Sequence, residues 1–201
     1  MNLSLLGWRR DIAAAYAAAR AAPGPEAGWQ LWRQQRDTLF RDHPDSALPA
    51  GARAAFDGLP YAPYDPAVRF VVPVTAAKPA HLDVPTATDG SVPFDRVGTV
   101  TLPGLGTLDV WWLGSYGGGL FVPVKDTTAG GTTYGGGRYL IDTVKGADLG
   151  GTGDELVIDL NFAYHPSCAY DEAWACPLAP PGNVLAEAVN AGELLPEGGW
   201  Y

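Results

Sequence analysis

Short runs of β-branched and aromatic residues, each bounded by Gly or Pro, constrain the fold of this chain more than any other feature. The first run covers about residues 68–74, and five others follow it: "DRVGTVTL", "GTLDVWWLG", "GLFVPVKD", "GRYLIDT" and "ELVIDLNF". Such runs predict strands, and the 26 Gly and 18 Pro among 201 residues supply the turns between them. Because no helical pattern lies between the runs, we expect an antiparallel meander that closes into a barrel or a sandwich.

Two amphipathic helices are predicted before the strands. In residues 3–21 the apolar side chains recur every three or four positions: Leu5, Trp8, Ile12, Tyr16 and Ala19. After a break at "PGPEAG", residues 26–41 carry a second stripe: Trp29, Trp32, Arg36, Leu39 and Phe40. This spacing is typical of helices that bury one face, so we expect both helices to pack against the rest of the protein.

The predicted fold class is α+β: two N-terminal helices packed on an antiparallel β-barrel or sandwich, with an irregular C-terminal segment. We interpret residues 1–201 as a single domain, because the chain contains no internal repeat and no linker-like stretch. Its parts are predicted as a helical region at 1–42, a β-meander barrel at 57–162 and an irregular wrap at 163–201. The "PGLG" stretch before Thr107 predicts a hairpin loop.

Charge and hydrophobicity limit the classes of partner. The formal net charge is −9 and no basic stripe offsets it, so neither nucleic acid nor an anionic membrane is expected as a partner. No stretch approaches the roughly 20 apolar residues of a membrane-spanning helix, and the N-terminus lacks the order of a signal peptide. We therefore predict a cytoplasmic protein whose cysteines, Cys168 and Cys176, are reduced.

The stretch "DTTAGGTTYGGGRYLIDT", at 126–143, concentrates polar side chains in one long loop. The loop is longer than the usual hairpin connection, and long polar loops often carry function. Its glycines allow backbone N–H groups to approach a ligand, and Arg138 is able to bind a carboxylate or a phosphate. The alternative is structural: Asp126 and the threonines cap turns while Arg138 pairs with an acid.

The stretch "LNFAYHPSCAYDEAWACPLAPPGN" holds both cysteines and one of the three histidines. His165, Cys168 and Cys176 form a suitable ligand set for zinc or iron, with Asp159 or Glu193 as a further ligand, although the spacing differs from that of known zinc motifs. A second hypothesis makes Cys168 a nucleophile with His165 as its base. A third is a reversible disulfide between the two cysteines. A fourth is that both cysteines are buried small hydrophobes and that His165 caps a turn.

The chain resembles DUF1684, a bacterial and archaeal family of unknown function. The resemblance covers roughly Trp29 to Glu193 and is carried by "FVPVKDTTAGGTTYGGGRYLID", "IDLNFAYHPSCAYDEAWACPLAPPGNVLAEAVNAGE", "WQLWRQQRDTLFRDHPDSAL" and "FDGLPYAPYDPAVRF". The positions that match the family pattern are Asp126, Thr128, Gly130, Thr133, Tyr134, Arg138, Tyr139, Cys168 and Cys176. The family commonly has asparagine where this chain has His165. Because the family has no assigned activity, the resemblance implies the location of a site and leaves its chemistry open.

We expect one site at one end of the barrel, where the long loop meets the C-terminal segment. The candidate catalytic residues are His165, Cys168, Arg138 and Asp126. The candidate substrate-binding residues are Thr128, Thr133, Tyr134, Tyr139, Asp159, Asn161 and Tyr170. Asp159 and Asn161 alternate with apolar residues, so they should share one face of a strand. The candidate metal ligands are His165, Cys168 and Cys176, with zinc or iron as the ion.

The predicted function is that of an enzyme acting on a small organic molecule. In this interpretation Arg138 orients an anionic group of the substrate, and His165 or Cys168 transfers protons. One alternative is a metal-binding protein that uses His165 and the cysteines. The other is a non-catalytic module that binds a small molecule among aromatic side chains such as Trp111 and Trp112, although these two should lie on opposite faces of their strand.

Overall fold

Helices occupy the N-terminal part of the chain, and the strands follow them. The computed structural model describes residues 3–86, 90–114, 116–174 and 176–197. Within them the helices are α1 (Leu3–Ala21), α2 (Pro25–Asp42) and α3 (Ala50–Arg53). The strands are β1 (Arg69–Pro73), β2 (His81–Thr86), β3 (Gly90–Leu102), β4 (Gly106–Leu113), β5 (Gly119–Val124), β6 (Arg138–Asp142) and β7 (Glu155–Asp159). The predicted α+β class with N-terminal helices is confirmed.

The apolar stripes of α1 and α2 pack against each other and against the strand region. All five predicted stripe residues of α2 are buried, whereas α1 buries the C-terminal half of its stripe and leaves Leu5 exposed. Tyr16 and Trp32 form an edge-to-face pair across the two helices, and both contact Phe162 beyond β7. Aromatic pairs of this kind stabilise a core beyond the area they bury.

Gly28 sets the distance between α1 and α2. A Cβ at this position would lie 2.5 Å from the backbone oxygen of Ala19, which is closer than atoms of these types approach. The two helix backbones therefore touch at this point, and only glycine fits there without moving one helix.

The strands form two antiparallel sheets. One sheet has the order β2-β3-β4-β5-β6, and the other pairs β1 with β7. The prediction of one meander through all six runs was wrong at its ends, because the first run and the last pair with each other, with Phe70 opposite Ile158. Within the described residues no closed barrel forms. An isolated bridge between Thr75 and Thr99 brings the two sheets together.

Both sheets contribute to one hydrophobic core. Val72 and Ile158 of the small sheet pack with residues of the larger one, and Leu185, Val189 and Ala191 of the C-terminal segment cover the cluster. The buried positions alternate along the second half of β3, as expected for a strand with one face toward a core, whereas β4 is buried on both faces from Leu108 to Trp111. As predicted, Trp111 and Trp112 face opposite ways, with 2% and 42% of their surfaces exposed.

Strand β2 was not predicted from the sequence. Among the described residues it pairs only with β3, so it lies at the edge of its sheet, where Pro85 is tolerated because one side needs no hydrogen-bond donor. Because β2 contains proline and charged residues, it lacks the run of β-branched residues from which the other strands were predicted. The hairpin predicted at "PGLG" is confirmed, since Leu102 pairs with Gly106 across the turn.

The segment after β7 is irregular, as predicted, and is held down by Asn183. The side chain of Asn183 donates to the backbone oxygens of Asp109 (2.8 Å) and Pro123 (2.9 Å), and it accepts from the Trp111 indole at 2.7 Å. One fully buried amide thus ties the segment to β4 and β5.

None of the helices in the described ranges combines the length and the apolar character that spanning a membrane requires.

We predict that Gly28→Ala destabilises the protein by about 1–3 kcal/mol, because the added methyl group forces α1 and α2 apart. Gly51→Ala in α3 is the matched control, since a Cβ there meets nothing within 4 Å. That control should be neutral or stabilising by up to about 1 kcal/mol. Urea unfolding followed by circular dichroism measures both, and equal values for the two variants would contradict this account of the helix contact.

Candidate functional site

The long loop between β5 and β6 is organised around a buried ion pair. Arg138 Nη2 lies 2.8 Å from Asp126 Oδ2, and both side chains are almost completely buried. The Arg138 guanidinium also donates to the backbone oxygens of Val189 (3.1 Å) and Ala191 in the C-terminal segment. The terminal nitrogens of Arg138 therefore donate to backbone oxygens of the protein itself. The structural alternative considered for Arg138, pairing with a nearby acid, describes what is observed.

The polar residues of this loop bind one another. Asp126 Oδ1 accepts from the backbone N–H of Thr128 (2.9 Å) and from its hydroxyl group (2.6 Å), and the hydroxyls of Thr128 and Thr133 are 2.9 Å apart. Burial acts to raise the pKa of Asp126, but Thr128 and Arg138 outweigh it, so the pKa is lowered. Gly137, at φ +91°, lets the loop enter β6 because a Cβ there would meet the Val124 oxygen at 2.7 Å. The loop forms a rigid support for the C-terminal segment.

A second buried ion pair joins α2 to that segment. Arg36 Nη2 lies 2.8 Å from Glu193 Oε2, and neither side chain reaches solvent appreciably. The same carboxylate accepts from the Tyr170 hydroxyl and, at 3.1 Å, from the backbone N–H of His165. Arg36 Nε donates to the hydroxyl of Tyr61 at 2.9 Å. The carboxylate and the guanidinium thus both have partners that compensate for their removal from water.

The pKa of Glu193 is lowered. Burial alone would raise it, but Arg36 and the hydrogen bonds from His165 and Tyr170 have the larger combined effect. The pKa of Tyr170 moves in the opposite direction, well above its ordinary value, because of burial and the adjacent Glu193 charge. Glu193 is therefore ionised and Tyr170 neutral across the physiological pH range.

His165 is fully buried between the loop and Glu193. Its Nε2 accepts from the backbone N–H of Tyr134 at 3.2 Å, and its Nδ1 lies 3.6 Å from Glu193 Oε1. Both ring nitrogens therefore face partners other than Cys168. The cavity beside the ring has a volume of about 60 Å³, which holds a water molecule or two but no organic substrate.

Cys168 and Cys176 come together at the edge of this region. Both are free thiols and both are partly exposed, and a hydrogen bond joins their side chains. Cys168 lies in a 3-10 turn at Ser167–Ala169. The backbone N–H groups of Ser167 and Cys168, at the start of that turn, also interact with the Cys176 sulfur. The sequence placed these thiols in one site, and the structure puts them in direct contact.

The two thiols have opposite acidities. The hydrogen bond from Cys168 lowers the pKa of Cys176 to about 6, assisted by the two backbone N–H groups and by the charge of Lys145, while burial opposes this effect. The same hydrogen bond, together with burial, raises the pKa of Cys168. Cys176 is therefore the more acidic of the two thiols and the one that forms a thiolate more easily.

The surroundings of Cys176 are apolar and aromatic. It packs against a cluster that contains Phe121 and Tyr139, and the Tyr139 hydroxyl donates to the backbone oxygen of Pro177 at 2.6 Å. Two residues before and two after Cys176, the side chains of Trp174 and Leu178 are 40% and 46% exposed. Cys176 thus packs on a buried aromatic cluster, and exposed apolar residues lie close to it in the sequence.

Asp159 and Asn161 do not join this site. Strand β7 ends at Asp159, whose carboxylate caps a 3-10 turn by accepting from Asn161 N–H at 3.0 Å. The expectation that the two residues share a strand face was wrong, because the chain turns between them. Asp159 pairs with Arg69 at 3.6 Å, and Asn161 binds both backbone polar groups of Asp65.

The structure does not support the proposed metal site. In the described parts of the chain, no three His, Cys, Asp or Glu side chains converge in a way that could hold an ion. His165 Nε2 already accepts a hydrogen bond from Tyr134, and the thiols face each other instead of the imidazole. The predicted ligands are neighbours in sequence without forming a coordination shell.

Two important residues of the site, Arg36 and Lys145, were not candidates in the sequence. Lys145 lies in a 3-10 turn after β6 and pairs with Asp142 at 3.5 Å; nothing in the local sequence indicates its proximity to Cys176. Arg36 did leave a signal, because a charged residue within a buried apolar stripe requires a buried partner. That partner, Glu193, lies 157 positions further along the chain.

We predict that Glu193→Gln destabilises the protein by about 3–5 kcal/mol at pH 7, because it leaves the Arg36 charge buried without its partner. The pKa of Glu193 is lower in the folded state than its ordinary value of 4.5, so the stabilisation is present above pH 4.5 and is lost as the pH falls through the folded-state pKa. The stability gap between wild type and variant should therefore narrow in acid. Urea unfolding at several pH values measures this gap.

The exposed Glu187 lies in the same segment, so Glu187→Gln is the matched control for Glu193→Gln. Its effect should stay within about 0.5 kcal/mol, as expected for an exposed site. A Glu193→Gln protein as stable as this control, or a gap that does not depend on pH, would contradict the role given to the ion pair.

Comparison with known proteins is consistent with the motifs. Residues 54–194 match the family described as "Protein of unknown function (DUF1684)". The chain is also similar to an uncharacterised protein of Haloarcula marismortui known from a solution NMR structure: the two are 37% identical, the match covers 84% of this chain and 93% of the other, and the TM-score is 0.59. No curated protein is significantly similar. Because the family match spans most of the chain and includes both cysteines, this protein belongs to the DUF1684 family.

Proposed function

We propose that this protein is a thiol–disulfide oxidoreductase that acts on small organic disulfides. In this proposal Cys176 is the attacking thiolate and Cys168 is the resolving thiol. The observation that carries the proposal is the direct contact between two free, partly exposed thiols. This assignment develops the sequence hypothesis of a reversible disulfide between the two cysteines and differs from the hypothesis in which Cys168 is the nucleophile and His165 its base.

The acidities of the two thiols suit this division of roles. Thiol–disulfide exchange needs a thiolate, and the optimum attacking thiol has a pKa near ambient pH. Cys176, with its pKa lowered to about 6 by the Cys168 hydrogen bond, meets that requirement without any help from His165.

The proposed reaction has two steps. The Cys176 thiolate attacks one sulfur of a disulfide R–S–S–R, which forms a mixed disulfide and expels RS⁻. Cys168 then gives up its proton to RS⁻ and attacks the Cys176 sulfur, which releases the second RS⁻ group and forms the Cys168–Cys176 disulfide. Two electrons pass from the protein to the substrate, and a dithiol reductant of the kind present in a cytoplasm restores the thiols.

The first step prepares the second. The hydrogen bond with Cys176 is the largest contribution that raises the pKa of Cys168. Once Cys176 is bound in a mixed disulfide it carries no charge, so the raised pKa of Cys168 falls and the resolving thiolate forms more easily. Each thiol is thus reactive at the stage at which it is needed.

The apolar rim favours substrates with an apolar group. Trp174 and Leu178, two residues before and two residues after Cys176 in the sequence, are exposed, and side chains of this type stabilise a bound ligand by removing its apolar surface from water. Lys145 supplies the nearest positive charge that acts on the thiolate. We therefore propose disulfides with neutral, apolar substituents as the preferred class.

We predict that iodoacetamide alkylates Cys176 with a pH midpoint near 6, the value to which its pKa is lowered. Cys168→Ala should move that midpoint upward, because it removes the S–H donor that stabilises the thiolate. Cys168→Ser keeps a hydroxyl donor and should move it less. Peptide mapping by mass spectrometry measures the rate at each pH, and a wild-type midpoint near the ordinary thiol value of 9 would contradict the proposal.

We further predict that the reduced protein, mixed with bis(2-hydroxyethyl) disulfide, forms one internal disulfide and releases two equivalents of 2-mercaptoethanol. Cys168→Ser should stop at the mixed disulfide on Cys176, and Cys176→Ser should not react at a comparable rate. Intact-protein mass spectrometry distinguishes these products. If the wild type shows no reaction beyond that of Cys176→Ser, or accumulates the mixed disulfide, then Cys168 does not resolve it and the proposal is wrong.

A further inference from the structure

The side chain of Tyr134 lies against the turn that carries Cys168. Its ring packs on the cluster that contains Ala169 and Tyr170, the two residues that follow this cysteine. The centroids of the Tyr134 and His165 rings are 6.4 Å apart. The Tyr134 hydroxyl donates a hydrogen bond to the Cys168 sulfur. A hydroxyl donor therefore contacts the thiol that resolves the mixed disulfide in the proposed reaction.

The backbone of Tyr134 is held at both of its polar groups. Its N–H donates to His165 Nε2 at 3.2 Å, and its oxygen accepts from the N–H of Gly137 at 2.9 Å. The preceding residue, Thr133, is buried and its hydroxyl contacts that of Thr128. Because a rigid loop holds the residue, its hydroxyl is in position before any reaction begins.

Gly136 leaves the space that the Tyr134 ring occupies. Its φ is not positive, so the backbone conformation does not require glycine there. A Cβ at this position would lie 2.5 Å from Tyr134 Cε1 and 2.8 Å from Leu178 Cδ2. The side chains of Tyr134 and Leu178 therefore meet over Gly136, and a residue with a side chain would displace one of them.

The need for a donor at Cys168 arises in the second step of the proposed reaction. In the reduced protein the hydrogen bond with Cys176, burial and the Cys176 charge raise the pKa of Cys168, whereas the Tyr134 hydroxyl lowers it. Both effects of Cys176 end when its sulfur enters a mixed disulfide. Burial still disfavours the Cys168 thiolate at that stage, and the Tyr134 hydroxyl is a side-chain donor that opposes this effect.

We propose that Tyr134 is a catalytic residue of the resolving step. Its hydroxyl stabilises the Cys168 thiolate while that sulfur attacks Cys176 in the mixed disulfide. Tyr134 keeps its own proton throughout. The Cys168 proton passes to the first RS⁻, an electron pair of Cys168 forms the new S–S bond, and the second RS⁻ leaves with the electron pair of the broken one. This role rests on the proposed function and concerns its second step.

Tyr134→Phe tests this role because it removes the hydroxyl and keeps the ring. With bis(2-hydroxyethyl) disulfide, the mixed disulfide on Cys176 should form at the wild-type rate and then resolve about threefold more slowly at pH 7. Loss of one donor to a charged group raises a thiol pKa by about one unit. The thiolate population then falls about tenfold, and the greater nucleophilicity of a more basic thiolate recovers about threefold.

Tyr64→Phe is the matched control, since Tyr64 is equally half-buried and packs against Trp29, away from the thiols. It should leave both steps unchanged. Intact-protein mass spectrometry over time follows the mixed and the internal disulfide separately. If Tyr134→Phe resolves at the wild-type rate, or slows both steps equally, the proposal is overturned.

A second measurement does not depend on the disulfide reaction. In Cys176→Ala the remaining cysteine is Cys168, and the pH midpoint of its alkylation by iodoacetamide reports its acidity. Adding Tyr134→Phe should raise that midpoint by about one pH unit, whereas adding Tyr64→Phe should not move it. Tyr139 also faces Cys168 but stays protonated, because burial raises its pKa.

The two measurements separate the failure of this role from the failure of the proposed function. An unchanged alkylation midpoint would overturn the role of Tyr134 even in a protein that reduces the disulfide. A raised midpoint in a protein that does not react with the disulfide would show that the donor is present and that the proposed function is what fails.

Discussion

The buried ion pair between Arg36 and Glu193 is the interaction on which the rest of the structure depends. It connects α2 to the C-terminal segment across most of the chain, and a charge left alone in that position would be strongly destabilising. The same carboxylate holds His165 by its backbone N–H and Tyr170 by its hydroxyl. Because these two residues bracket the turn that carries Cys168, one carboxylate fixes the position of that thiol relative to the helices.

The second thiol is held from the other side by Asn183. Its amide binds β4, β5 and Trp111, so the segment that carries Cys176 begins and ends at a buried anchor while remaining partly exposed in between. The Asp126–Arg138 pair supports the same segment from below through the backbone of Val189 and Ala191. Polar residues that appear in the sequence to be ligands for a substrate are thus the framework that aligns the two cysteines.

The features that were predicted correctly from the sequence are those that depend on local residue patterns. Both helices and the strand runs follow from periodicity and from Gly and Pro positions, whereas the meeting of the long loop with the cysteine segment was expected from where ligand sites of such folds lie. Pairing of β1 with β7 and of Arg36 with Glu193 depends on contacts between distant parts of the chain, which no local pattern specifies. β2 was hidden by Pro85, and Asp159 and Asn161 were misplaced because the strand ends between them. The stripe containing Arg36 was the one local sign of a buried ion pair.

The net charge of −9 affects the stability of a thiolate in this protein. A further negative charge is unfavourable in a negatively charged molecule, so it must be stabilised by neighbours. Around Cys176 these are the Cys168 thiol, the N–H groups at the start of the 3-10 turn and Lys145. For the proposed reaction, the same net charge disfavours anionic disulfides at a distance and does not oppose the approach of neutral ones. Long-range charge and the exposed apolar side chains therefore both favour the substrate class proposed above.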